Sequence, residues 1–445
     1  LSNCTNITFP GNYTLTANIS SSGTCLQINA DNVTIDCAGH LITGPGISAG
    51  TYYGINNTGH NNVEIKNCII TNFSIGIYFQ NANYSNITNN IVNNNQYGIY
   101  LYSSSSNNTL TNNTANSNNQ YGIYLVSSSN NTLTNNTANN NYNGIFLSSS
   151  SNNILTNNTA QENGAYDLYV YTNTDEHCNN LIENTTGSGN RSILYFNNSI
   201  NLQNKVVSEL ILCNADNSNI INVTIDGSAA LKNNGLVAIR VDGSNLTGIN
   251  TSNNFIGIRL WFSNNNTLIS NTAINNNFYG IWLSSSNSNT ITNNIANNNL
   301  YVGIILSVSN SNIITNNIAN NNQFSGISFF SSSNNNLTSN TASNNTYGIF
   351  FHSSSNNILT SNTAQNNTWD FYSVFNSLNN TVINFKSWQN ILSFASKDIA
   401  LKGLQPSDIN FSDPIGLRNI SKWINATNNS ADSWLFVNFS YTDAD

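Results

Sequence analysis

The fold is decided by Gly98-Ile99-Tyr100-Leu101-Tyr102-Ser103-Ser104-Ser105-Ser106-Asn107-Asn108-Thr109-Leu110-Thr111-Asn112-Asn113-Thr114-Ala115. Alternation with period two sends Ile99 and Leu101 to one face of a short strand and Tyr100 to the other. After a Ser/Asn turn, Leu110 points in and Thr111 points out, and Ala115 starts a third short strand. The Gly-Ile-aromatic-hydrophobic unit recurs at Gly76, Gly98, Gly122 and Gly144, then at Gly257, Gly280, Gly303, Gly326 and Gly348, always 22 to 24 residues apart. That period, with two or three strands in each copy, matches one turn of a parallel β-solenoid. A leucine-rich repeat needs a longer Leu pattern and usually a helix. Helical repeats fail because no 3.6-residue periodicity exists and Asn, Ser, Thr and Gly are poor helix formers. The chain is therefore expected to be all-β, a parallel β-helix of roughly 15 coils with capped ends.

An Asn sits three residues after each inward Leu or Ile. The column is read as Asn90, Asn113, Asn136, Asn158 and Asn184, then Asn271, Asn294, Asn317, Asn340 and Asn362. Stacked coils would turn it into an amide ladder that satisfies polar groups at a bend. Thr88, Thr111, Thr134 and Thr156, with Thr292, Thr315, Thr338 and Thr360, form an outward column beside it.

A longer repeat contains the short one. Ala160-Gln161 through Tyr166-Asp167-Leu168-Tyr169 matches Ala364-Gln365 through Trp369-Asp370-Phe371-Tyr372, with Asp167 and Asp370 in the Gly position. The expected organisation is an N-terminal cap and first coils at 1–53, a first cassette at 54–196, and irregular middle coils at 197–256 with a loop extruded near 197–207. A second cassette follows at 257–394, then a C-terminal cap or the start of a further β domain at 395–445. One continuous solenoid is expected, with two solenoids and a linker as the alternative.

Only 7% of the 445 residues are charged, and residues 67–161 and 260–369 contain no Asp, Glu, Lys or Arg. Eleven Lys plus Arg and a net charge of −8 exclude the basic face that nucleic acid needs. No apolar run approaches the roughly 20 residues of a membrane-spanning helix. There is no Met, there are four His, and no Cys pair has metal-binding spacing, so no cofactor or metal is expected. The start at Leu1 is read as a mature end left by signal-peptide removal. Six Cys then fit an oxidising compartment, with Cys4–Cys25 and Cys37–Cys68 as local pairs and Cys178–Cys213 as the third.

Roughly 30 Asn-X-Ser/Thr sequons give a second signal of export. They head at Asn3, Asn6, Asn12, Asn18, Asn32, Asn56, Asn72, Asn83, Asn86, Asn107, Asn112, Asn130, Asn135, Asn157 and Asn184. The rest are Asn190, Asn197, Asn222, Asn245, Asn250, Asn265, Asn336, Asn344, Asn366, Asn379, Asn410, Asn419, Asn425, Asn428 and Asn438. Attached N-linked glycans would explain how so uncharged a surface stays hydrated.

The coil Gly-Ile-aromatic-Leu followed by Ser-Ser-Asn-Asn-Thr-Leu-Thr-Asn-Asn-Thr resembles the right-handed parallel β-helix repeat of NosD-type proteins, above all Asn-rich archaeal cell-surface glycoproteins. Asn32-Val33-Thr34-Ile35-Asp36 with Gly39-His40-Leu41-Ile42-Thr43-Gly44 is similar to that family's first coil. The resemblance spans nearly the whole chain and implies the right hand of the solenoid. The copper role associated with NosD does not carry over to a chain with no Met and few His.

Three functions are weighed. The first is an extracellular or cell-surface structural glycoprotein, not an enzyme, whose rods self-associate into a layer, sheath or filament. Its contact candidates are the outward aromatics Tyr78, Tyr100, Tyr124, Phe146, Trp282 and Phe350. Set against this, the same rings can form a cross-coil stack that only stabilises the sheet. The second is a module that binds extracellular polysaccharide through that aromatic stripe, or an adhesin. The third is a polysaccharide lyase or hydrolase. Its charge clusters would be Asp175, Glu176 and His177 with Glu183, or Asp226, Lys232, Arg240, Asp242 and Arg259, both of which also read as solvated turns.

Overall fold

The computed structural model describes residues 1–387 throughout and, beyond them, the backbone of six strands from Asn390–Ser396 to Trp434–Asn438. The chain forms two compact units. Unit 1 comprises Leu1–Asn198, Val206–Asn214 and Ile225–Gly235; unit 2 comprises Ser199–Lys205, Ala215–Thr224 and Leu236–Asp445. Each is a right-handed parallel β-solenoid, with about 17 turns in all. No α-helix occurs among the described residues.

In unit 1, sheet A has eight strands from Thr5–Ile7 to Tyr166–Tyr171, and sheet B has eight from Gly11–Thr14 to Leu181–Glu183. A third line of four strands, Ile19–Ser20 to Ile91–Val92, thins to single parallel bridges through Thr114, Thr137, Thr159 and Thr186. Each strand pairs with its equivalent one turn away: Ile99 lies opposite Ile77 and Ile123, and Leu110 opposite Ile87 and Leu133. Identical spacing makes identical side chains stack, and Ile99, Leu101, Leu110 and Ala115 are all fully buried. In unit 2 the corresponding sheets run from Leu236–Ile239 to Trp369–Val374 and from Asn201–Gln203 to Asn380–Ser387. Asn201–Gln203 pairs in parallel with Asn219–Ile221, so the stretch expected as an extruded loop contributes a strand. Most of 395–445 lies outside the described residues. Ile399–Lys402 pairs antiparallel with Trp369–Val374, and Trp434–Asn438 with Asn390–Ser396.

The asparagines form more ladders than the single column expected. In unit 1 one runs Asn90–Asn113–Asn136–Asn158, a second Asn95–Asn118–Asn141–Asn163, and a third Asn108–Asn131–Asn153–Asn180. Three corners per coil need three ladders. Asn184 is not a member; it is exposed, and Thr185, three residues after the inward Ile182, takes the buried place. The doubled asparagines have a geometric cause. The first Asn of each pair turns the corner in the left-handed region, as at Asn107 (φ 59°) and Asn112 (φ 56°), a conformation Asn tolerates well. The second is buried and bonds along the ladder.

Glycine recurs for the opposite reason. A Cβ on Gly122 would lie 2.8 Å from both the Ala115 and the Gly144 carbonyl oxygens and 2.7 Å from Asn141 Nδ2. The three disulfides are Cys4–Cys25, Cys37–Cys68 and Cys178–Cys213, all in unit 1, and no free cysteine remains.

Candidate functional site

The aromatic column stands where the repeat places it. In sheet A, Tyr78, Tyr100, Tyr124, Phe146 and Tyr169 are direct register partners. Their ring centroids are 5.4, 4.8, 4.9 and 5.0 Å apart in that order. A second column adds Tyr97 and Tyr121, with centroids 5.5 Å apart. A third carries Tyr102 and Tyr171, each 37% exposed. Tyr78 and Phe146 are nearly covered by their neighbours, as is Phe350 in unit 2, while Tyr100, Tyr124 and Trp282 are half-buried. Tyr100–Tyr124 and Tyr124–Phe146 stack face to face, whereas Tyr78 meets Tyr100 edge-on and Tyr169 is tilted against Phe146. Burial, reinforced by neighbouring tyrosines, pushes the Tyr78 and Tyr124 hydroxyls up to about 12 and raises Tyr100 as well. The face is thus neutral at physiological pH.

In unit 2 the equivalent column is Arg259, Trp282, Ile305, Ser328, Phe350 and Tyr372. The Arg259 guanidinium carbon lies 4.2 Å from the Trp261 ring centroid and 4.3 Å from that of Trp282, a double cation–π contact.

The second charge cluster is divided between the two units. Asp226 and Lys232 belong to unit 1, and Arg240, Asp242 and Arg259 to unit 2. Asp226 instead pairs with Arg191 at 2.8 Å. Asp242 is one rung of an outer ladder: its N–H donates to Asp216 Oδ1 at 2.7 Å, and its Oδ1 accepts from the Asn264 N–H at 2.6 Å. Asp175 and Glu176 sit in an exposed turn, Glu183 is exposed, and His177 Nδ1 contacts Thr174 Oγ1 at 2.9 Å.

Sequence reading missed a carboxyl pair in unit 1. Asp167 replaces Gly in the last strand of sheet A, and its Oδ1 accepts from Asn163 Nδ2 at 2.9 Å, ending that ladder. Its Oδ2 accepts from the Ser188 N–H and from Asn234 Nδ2, both at 2.7 Å. Glu209, fully buried, accepts the Leu168 N–H on Oε2 at 3.0 Å, a donor that a further coil would otherwise have taken. Burial first, then the Asp167 charge, lifts Glu209 well above the usual carboxylate range. Burial raises Asp167 too, and its hydrogen bonds from Asn234, Ser188 and Asn163 oppose that rise. The available signal was a lone Glu opening the otherwise apolar Leu210-Ile211-Leu212-Cys213.

Asp370 repeats the device in unit 2. It accepts from Asn367 Nδ2 at 2.9 Å and from the Ser387 hydroxyl. Burial raises it from 3.8 to about 6. The folded state therefore holds the proton more tightly than the unfolded chain. This contribution is complete below about pH 4 and is lost as pH rises through about 6, a loss of about 3 kcal/mol. Asp370→Asn is expected to remove that loss, so that urea midpoints of variant and parent diverge between those pH values. Parallel curves would refute the assignment.

A sequence profile described as "Periplasmic copper-binding protein (NosD)" matches residues 10–209 and 214–396. No curated protein matches the chain at a significant level. Among solved structures, the chain is similar to a variant of the periplasmic alginate epimerase AlgG, at 14% identity over 73% of this chain and 76% of that one, with a TM-score of 0.38. It is also similar to the mannuronan C-5 epimerase AlgE6 A-module of Azotobacter vinelandii (14%, 85% and 88%, TM-score 0.28). A third is DFA-IIIase from Arthrobacter chlorophenolicus (11%, 68% and 60%, TM-score 0.31). At these identities and TM-scores the likenesses assign the chain no activity. They do overturn the exclusion of enzymes that the shortage of charge suggested, because these β-helix neighbours are carbohydrate-active enzymes. Counting charges along the repeats also overlooked the carboxyls buried where the repeats end.

Copper finds no suitable donor set here. The chain lacks Met, all six Cys are in disulfides, and no group of three or more His, Cys, Asp or Glu converges among the described residues. The disulfides place the chain in an oxidising compartment. No helix among the described residues is long and apolar enough to cross a membrane. With its profile match covering most of the sequence, the chain belongs to the NosD family.

Proposed function

We propose that this NosD-family β-helix works outside the cell as a carbohydrate-binding protein that holds neutral polysaccharide along the aromatic face of sheet A. The supporting observation is the tyrosine array from Tyr78 to Tyr171, whose outward positions carry no charge. Protonated tyrosine hydroxyls offer both a donor and an acceptor to sugar hydroxyls, and ring edges offer apolar contact. A net charge of −8 with no cation on this face disfavours polyuronates.

Affinity electrophoresis through gels containing a neutral glucan tests this. The protein is expected to be retarded, and Tyr102→Ala to weaken retention about 3- to 10-fold with an unchanged unfolding midpoint. Stronger retardation by alginate than by glucan would sink the reading. Release of oligosaccharides from the gel would extend it from binding to turnover. The same face would serve self-association into a layer, sheath or filament, which sedimentation at rising concentration would detect.

A further inference from the structure

We infer that unit 1 carries N-linked saccharides along the two corners bordering sheet B, while the aromatic face of sheet A stays bare. What the bare face is used for rests on the carbohydrate-binding reading; the modification itself does not.

The argument starts from the order of residues at a corner. A left-handed Asn comes first, then a buried ladder Asn, then an outward Thr, then an inward Leu or Ala. A sequon can therefore run from the left-handed Asn to the Thr. The ladder Asn has a core residue two places on, as in Asn113-Thr114-Ala115 and Asn131-Thr132-Leu133, and heads no sequon. The geometry routes every acceptor of this kind to the surface. Asn107 and Asn130 lead into sheet B strands, and Asn112, Asn135 and Asn157 lead out of them. All five are exposed, with φ between 56° and 59°. Of the sequon asparagines with described side chains none is buried; Asn56, Asn83, Asn197 and Asn366 are half-buried and the others exposed. Asn425 lies outside the described residues, and for Asn410, Asn419, Asn428 and Asn438 only a strand is described.

The distribution is uneven. The aromatic strands Ile75–Gln80, Tyr97–Tyr102, Tyr121–Val126, Asn143–Ser148 and Tyr166–Tyr171 contain no sequon asparagine. The sheet A strands before them hold two, Asn6 and Asn56, the latter beside Tyr78 at the edge of the aromatic array. The corner does not require Asn either. Ser270, Ser339 and Ser361 hold the same left-handed turn in unit 2 (φ 54° to 56°), and each removes the sequon. Asn at 112, 135 and 157 thus adds an acceptor without adding geometry. Residues 67–161 carry no charge, so saccharide supplies the hydration that ionised side chains provide elsewhere. Successive coils are only about 4.8 Å apart, so adjacent acceptors on one corner compete.

Site-resolved glycopeptide mass spectrometry of protein purified from its native cells tests the inference. Saccharide is expected on peptides holding Asn107 or Asn130 and on peptides holding Asn112, Asn135 or Asn157. Unmodified masses for all of them would overturn it. The combined Asn112→Ser, Asn135→Ser and Asn157→Ser variant, made in the same cells, is expected to lose solubility but keep its glucan retention. Glucan retention without saccharide defeats this inference alone. Saccharide without glucan retention defeats the binding reading alone.

Discussion

Asn113→Ala is expected to cost about 3 kcal/mol or more, whereas Asn112→Ser, one residue earlier, should change stability by less than about 0.5 kcal/mol. Asn113 Oδ1 accepts from the N–H and Nδ2 of Asn90, at 3.1 and 3.0 Å. Its Nδ2 donates to the Ile87 carbonyl at 2.7 Å and to Asn136 Oδ1 at 2.9 Å. Alanine removes all four bonds and takes partners from buried groups in the two neighbouring coils. Asn90 Nδ2 keeps the Ile65 carbonyl and Asn136 Oδ1 keeps the Asn113 N–H, and each group left without a partner costs about 1–3 kcal/mol. Partial relaxation and neighbouring bonds reduce the sum, so the lower end is the safer figure. Asn112 is exposed and supplies only a tolerant corner residue, a task serine performs at Ser270. Urea unfolding of both variants measures the contrast. Equal losses would mean that the corner conformation, not the ladder, carries the stability.

Gly122→Val is the second large effect, expected at about 3 kcal/mol or more and accompanied by loss of soluble protein. The Cβ would approach two backbone carbonyl oxygens at 2.8 Å, and backbone cannot rotate aside as a side chain can. Moving the strand would break its parallel pairing with both neighbouring coils. Gly39→Ala is the control: a Cβ there meets nothing within 4 Å, and only its positive φ of 80° resists the change. It is expected to cost about 1 kcal/mol. Comparable soluble yields and midpoints for Gly122→Val and the parent would refute the packing account.

These two positions also show how far sequence reading reaches. The spacing of Gly122 from Gly98 and Gly144 made the coil legible, since a solenoid repeats its contacts at the period of its sequence. The reason for glycine was not legible, because it depends on the Ala115 and Gly144 carbonyls converging in space. The candidate face divides in the same way. Tyr78, Tyr100, Tyr124 and Phe146 could be placed in one outward column from alternation alone. That Tyr124 stacks face to face with Tyr100 and Phe146 while Tyr78 meets Tyr100 edge-on is set by ring orientations that alternation does not carry.

What the sequence determined by itself was the periodic part: a parallel β-helix with inward Ile and Leu, outward aromatics, and cysteines close enough to pair locally. Periodicity is local information, and stacking copies of one coil adds no new kind of contact. The tertiary structure alone decided what happens where the period ends. Asp167 and Glu209 are 42 residues apart in sequence; Asp167 stands in a repeat's Gly position, but Glu209 matches no repeat position. They share a buried cluster because the last strand of sheet A has donors left unpaired by the absence of a next coil, and the returning segment brings a carboxyl to one of them. A shortage of charge written in the composition thus became a matter of placement: residues 67–161 and 260–369 exclude carboxyls, and Asp167, Glu209 and Asp370 are buried just beyond the repeats.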